Sequence, residues 1–128
     1  MFDYLMASSP ARARALERRG LTPNDARGLW SLDTTPGRPI GSLADDWGCD
    51  PANATFIIGR LEAAGLVRRQ PSASDRRIKL VTLTAKGAAT KRALLRTYRT
   101  PPPELRGLSR AELERLVVLF TRLAAARR

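Results

Sequence analysis

"LADDWGCDPANATFIIGRLEAAGLVRRQPSASDRRIKLVTLTAKG", residues 43–87, changes its period partway along. Before Gly65 the apolar residues recur at helical spacing. Leu43, Ala44 and Trp47 share one face of a short helix, "IGSLADDWG", that stops at Gly48. Asp50 is a good cap and Pro51 fits the first helical position, so a second helix, "PANATFIIGRLEAA", starts there and runs to Gly65. After Gly65 come "LVRRQ" and "RIKLVTL", aliphatic and β-branched, with turn chemistry, "PSASD", between them. Two helices joined by a tight turn and followed by a basic hairpin predict a winged helix-turn-helix. The wing is the loop at 71–77.

Working outward, "ARARALERR" is helix-prone and weakly amphipathic, and Gly20 stops it. Thr22, Pro23 and Asp25 carry the signs of a capping box for the next helix, whose Ala26, Leu29 and Trp30 form an inward stripe. Residues 34–39, "TTPGRP", read as a loop. Thr84 caps "AKGAATKRALLRTYR", "TPPPELRG" breaks it, and Ser109 with Glu112 caps the last helix. Leu113, Leu116, Val117, Phe120, Leu123 and Ala124 make a continuous apolar stripe on that helix. The predicted class is mostly α with a small β-hairpin (α+β), one winged-helix domain over 1–128 with its DNA-binding core at about 38–84.

A chain of 128 residues suits one domain and can bury a core without disulfides or metal. No apolar run approaches the ~20 residues that span a bilayer, and the first twenty residues lack a secretory core. Cys49 is the single cysteine, so no internal disulfide forms, and a small buried hydrophobe in the turn is its expected role. A cytoplasmic location is expected. The net charge is +11 and the sequence pI about 11.4. From Arg60 to Arg110 there are 13 basic and three acidic residues, a net of +10. Such an excess, nearly all arginine, favours a polyanion; a solvated basic surface is the plain alternative.

Asp75 stands between Arg68-Arg69 and Arg76-Arg77, inside the most basic part of the chain. A free arginine on a loop costs up to ~2 kcal/mol of side-chain entropy to order. A neighbouring carboxylate can pair with the guanidinium and fix its direction. Asp75 is therefore read as a positioner and Arg77 as the minor-groove probe, the two lying on one side of an extended strand; the alternative is a surface ion pair of negligible energy. Arg76 points the other way or to phosphate. Asn53 and Thr55 lie near the start of the second helix, the end that usually enters a groove. Arg60 faces either phosphate or the neighbourhood of Glu62. Arg68 and Arg69 are expected on phosphate or on the wing acid. Trp30 and Trp47 are expected in the core.

Nothing supports catalysis. There is no histidine, the one cysteine has no base partner in sequence, and "PGRPIG" lacks the spacing and the Lys-Ser/Thr of a phosphate loop. No metal site or cofactor is expected.

The combination of Arg60-Leu61-Glu62, Gly65-Leu66-Val67, Arg69, Asp75-Arg76-Arg77, Leu83-Thr84 and Gly87, with Leu43-Ala44, Thr55 and Val81, resembles the multiple-antibiotic-resistance regulator (MarR) family. "LSRAELERLVVLFTRL" resembles that family's C-terminal helix, so the resemblance covers about residues 21–125. It implies a bacterial transcription regulator, a homodimer on a palindromic double-stranded operator, built through dimerisation helices at about 1–20 and 85–127. It also implies one recognition helix in each major groove, one wing in each minor groove, and repression released by a small ligand. The segment before Leu21 is short for the family. Phe56 and Gly59 stand where it usually has polar residues, which implies fewer base contacts or a close backbone approach at Gly59. The alternative function is non-specific binding of RNA or DNA by the same basic surface.

Overall fold

A computed structural model describes residues 2–101 and 103–126. The chain forms two units, Met1–Tyr98 and Arg99–Arg128. The order of elements is α1 (Phe2–Glu17), α2 (Pro23–Trp30), β1 (Arg38–Pro39), α3 (Ile40–Trp47), α4 (Pro51–Ala63), β2 (Val67–Pro71), β3 (Lys79–Leu83), α5 (Ala85–Arg99), a 3-10 turn (Pro103–Gly107) and α6 (Arg110–Ala125).

Caps set most helix ends where the sequence puts them. The Thr22 hydroxyl accepts from the Asp25 amide at 3.2 Å, and the Asp25 carboxylate accepts from the Thr22 amide at 2.8 Å, a complete capping box. Asp50 accepts from the Asn53 amide at 2.9 Å and starts α4. The turn between α3 and α4 needs a left-handed residue, and Gly48 supplies it at φ 62°. Thr84 both caps α5 and ties it to the end of α4, accepting from the Gly87 amide at 3.0 Å and donating to the Gly65 carbonyl at 2.6 Å.

The core of the first unit is a layer of α2, α3 and α4 closed by the sheet and by Leu94 of α5. Leu29, Leu32, Leu43, Ile58, Leu61, Val81 and Leu94 are fully buried. Each such side chain stabilises the fold by about 1.5–3 kcal/mol. Gly87 packs directly on the Leu66 backbone carbonyl, where any Cβ would collide, so only glycine fits. Trp47 is buried, with its indole N–H on the Ser31 hydroxyl at 2.8 Å. Trp30 is half-buried against Tyr98, edge to face at 4.6 Å, and Cys49 is half-buried beside the core rather than within it.

The hairpin expected after Gly65 is present, with Val67 opposite Leu83 and Pro71 opposite Lys79. The sheet has a third strand, inside the stretch 34–39 whose composition predicts a loop. Arg38 and Pro39 pair antiparallel with Val81 and Leu80, giving the order β1-β3-β2. Two residues with a proline carry no periodicity, and tertiary pairing alone makes this strand. In the second unit, Ser109 and Glu112 complete the expected capping box of α6. The apolar stripe of α6 is exposed at Leu113, Val117, Phe120 and Leu123, as are Val118 and Leu119. No helix among the described residues is long and apolar enough to cross a membrane.

Candidate nucleic-acid interface

Helix α4 buries Ala54, Ile57, Ile58 and Leu61 and turns its other side outward. Asn53, Thr55 and Phe56 are exposed near its start. The Thr55 hydroxyl donates to the Pro51 carbonyl at 2.8 Å, which uses its one proton and leaves the oxygen able to accept. Only the Asn53 backbone is used in capping, so its side-chain amide is available.

Arg60 does not pair in the neighbourhood of Glu62. Its Nε and Nη2 donate to Oδ1 and Oδ2 of Asp25 at 3.3 and 3.0 Å. Asp25 is 1% exposed, so a carboxylate in the core meets a half-solvated guanidinium in a two-pronged pair. Burial alone would push the Asp25 carboxyl up. The Arg60 fork and the Thr22 amide and hydroxyl outweigh that, and the group lies below the usual carboxylate range. The Asp25 fork in turn raises the Arg60 guanidinium above its already high value. Arg60 thus bolts α4 to the start of α2. Sequence reading found Asp25 as a cap and missed this second role, because the partners are 35 residues apart and only the fold joins them.

Arg69 lies over α4, with Nε 3.5 Å from Glu62 as an ion pair and no hydrogen bond at that buried nitrogen, and not on the wing acid. Among the described residues no other stretch of the protein backbone comes close to Gly59: a Cβ there would meet only the Arg69 Nη2, at 3.6 Å. Arg68 and Arg76 are exposed, with no side-chain partner among the described residues.

The wing keeps the pair expected of it. Arg77 donates from Nε to Asp75 Oδ1 at 3.1 Å and from Nη2 to Oδ2 at 3.2 Å, and its own amide donates to Oδ1 at 3.0 Å. The backbone, however, is a turn and not an extended strand. The Ile78 amide donates to the Asp75 carbonyl at 3.0 Å, and the Ser72 amide to the Ile78 carbonyl at 2.8 Å. An aspartate that accepts from the amide two residues on is a turn-former, so Asp75 shapes the tip and holds the arginine at once. The Arg77 side chain is 92% exposed while doing so. Its fork and amide hold the Asp75 carboxyl below the usual carboxylate range. Among the described residues no group of three or more His, Cys, Asp or Glu is placed to hold a metal ion.

A helix pair joined by a glycine turn, its second helix exposed, and a hairpin with an aimed arginine at its tip define a winged helix-turn-helix protein. Residues 21–79 match the model of the MarR family. Over 77 residues the chain is 38% identical to the transcriptional activatory protein BadR of Rhodopseudomonas palustris, a match of 58% of this chain and 44% of that protein. The chain therefore aligns with less than half the length of that relative. The YusO protein from Bacillus subtilis superimposes with a TM-score of 0.80 at 23% identity, over 97% of this chain and 89% of that one. The transcriptional repressor CouR, solved bound to a 23-mer DNA duplex, does so with a TM-score of 0.73 at 27% identity, over 95% and 87%. Over residues 21–79, somewhat less than half of its length, the chain is similar to the MarR family.

Proposed function

We propose that this chain is a sequence-specific transcription regulator that binds double-stranded DNA as a homodimer on a palindromic operator. The observation that carries the reading is the wing tip: a 92% exposed guanidinium held in direction by a carboxylate, on the same unit as an outward-facing helix with polar groups at its start. Phosphate neutralisation needs no such aiming; groove insertion does. Asn53 and Thr55 supply base contacts, Arg77 enters the minor groove, and Arg68 and Arg76 meet phosphate. Arg60 and Arg69 hold α4 in place and act on DNA through it. The exposed apolar line of α6 supports a homodimer, since a strip of that kind marks a protein contact. The chain is read as a cytoplasmic repressor released by a small ligand, without catalytic activity. Its relatives include both signs of regulation, with BadR described as activatory and CouR as a repressor.

Footprinting of the purified protein on genomic DNA tests the reading. A protected palindrome with half-sites about one helical turn apart is expected. Uniform protection of every sequence would transfer the chain to the non-specific class. On the selected site Asn53→Ala should cost ~1–3 kcal/mol at one position of each half-site and little on random duplex. Sedimentation should give about twice the chain mass of 14.1 kDa at micromolar concentration.

A further inference from the structure

We infer that Phe56 is a specificity-determining residue that reads the 5-methyl group of a thymine in each half-site. This inference rests on the reading of the chain as a DNA-binding regulator. Among the described residues of the first unit, the large apolar side chains that stand exposed are Phe56, at 64%, and Ile78, at 43%. One is on α4 and the other at the base of the wing tip, so both fall on the candidate interface. An exposed phenylalanine alone is ordinary on a protein surface. Its position is what makes this one informative.

The buried line of α4 is Ala54, Ile57, Ile58 and Leu61, and Phe56 stands across the helix from it. The other exposed residues on that outward line, Ala52 and Ala63, are too short to reach far from the helix. Asn53 flanks Phe56 on one side and Thr55 on the other, and Arg60 is turned back onto Asp25. The side chain at the centre of the outward face is therefore a ring with no donor or acceptor. In a major groove the apolar feature that such a ring can distinguish is the thymine methyl, and phenylalanine against that methyl is a recognised contact. A ring held at the helix centre, with an amide beside it, reads a methyl next to a hydrogen-bonding base edge.

The test uses the full chain and the duplex selected by footprinting. Each thymine is replaced in turn by deoxyuridine, which removes the methyl and keeps the base pair. For the unaltered protein, one position per half-site should lose about fourfold in affinity, or about fifteenfold when both half-sites are changed, as expected for one buried methyl each. Phe56→Ala should bind the thymine duplex more weakly and no longer distinguish thymine from deoxyuridine there. Phe56→Leu should keep part of the preference. The inference is overturned if no thymine of a preferred duplex shows methyl dependence, or if Phe56→Ala retains the same dependence at the same position. Those results leave sequence-specific binding standing, whereas a protein that prefers no duplex over random DNA sinks both readings.

Discussion

Two aspartate–arginine forks hold the interface, alike in geometry and opposite in setting. In the wing, Asp75 and Arg77 are two residues apart, and the guanidinium is 92% exposed. Beneath α4, Asp25 and Arg60 are 35 residues apart, and the carboxylate is 1% exposed. An exposed ion pair contributes little to stability, because water screens it and two long side chains must be ordered. A buried carboxylate left without its partners is expensive. The Asp75–Arg77 fork should therefore show itself in DNA binding and be nearly silent in folding. The Asp25–Arg60 fork should do the reverse, reaching DNA only through the seating of α4.

The largest expected effect is on folding. Asp25→Ala removes a cap and the partner of Arg60 together, and should cost about 2 kcal/mol in urea denaturation. Asp75→Ala should leave the same curve unmoved. If the two variants unfold alike, the contrast between the forks is broken.

A smaller effect should appear in acid. Asp25 has a lower pKa folded than unfolded, so its contribution is present above the unfolded value and is lost as pH falls through the folded one. Thermal melts should therefore decline below about pH 4, the ordinary carboxylate range. Asp75 and Glu112 are shifted the same way, but solvent screening keeps their share of the decline small. Asp25→Asn should flatten the acid limb more than Asp75→Asn does, and the opposite ranking would contradict the burial argument.

The smallest of the three concerns salt. Arg77→Ala should reduce the slope of log affinity against log salt by about one per wing if the guanidinium lies against phosphate-lined groove, while Asp25→Ala should leave the slope unchanged.

The same contrast shows what the sequence can disclose. The wing fork was legible because its partners sit within one turn, where local chemistry decides the geometry. Even so its cause was misread: the turn made by the Asp75 carboxylate, not strand alternation, brings the two side chains together. Helix ends were legible wherever a cap, a proline or a glycine marked them, as at Thr22, Asp50 and Ser109. Strand β1 was not, because two residues carry no period and their partners in β3, Val81 and Leu80, lie far along the chain. The actual partners of Arg60 and Arg69 were not legible for the same reason. Their partners, Asp25 and Glu62, neutralise them across elements that only the fold brings together. Charge counting located the basic face and overstated how many of its arginines are available.

The most direct measurement of the central claim is the affinity of Asp75→Ala for the selected operator and for random duplex over a series of salt concentrations. Removing the acid raises the charge of each subunit by one, so electrostatics alone would tighten both. If the carboxylate aims Arg77, operator binding should instead weaken by about fivefold per wing, because the guanidinium must be ordered on binding. Random-duplex binding should stay the same or tighten slightly, and Asp75→Ala added to Arg77→Ala should cost little more. Tighter operator binding by Asp75→Ala at every salt concentration would contradict the account.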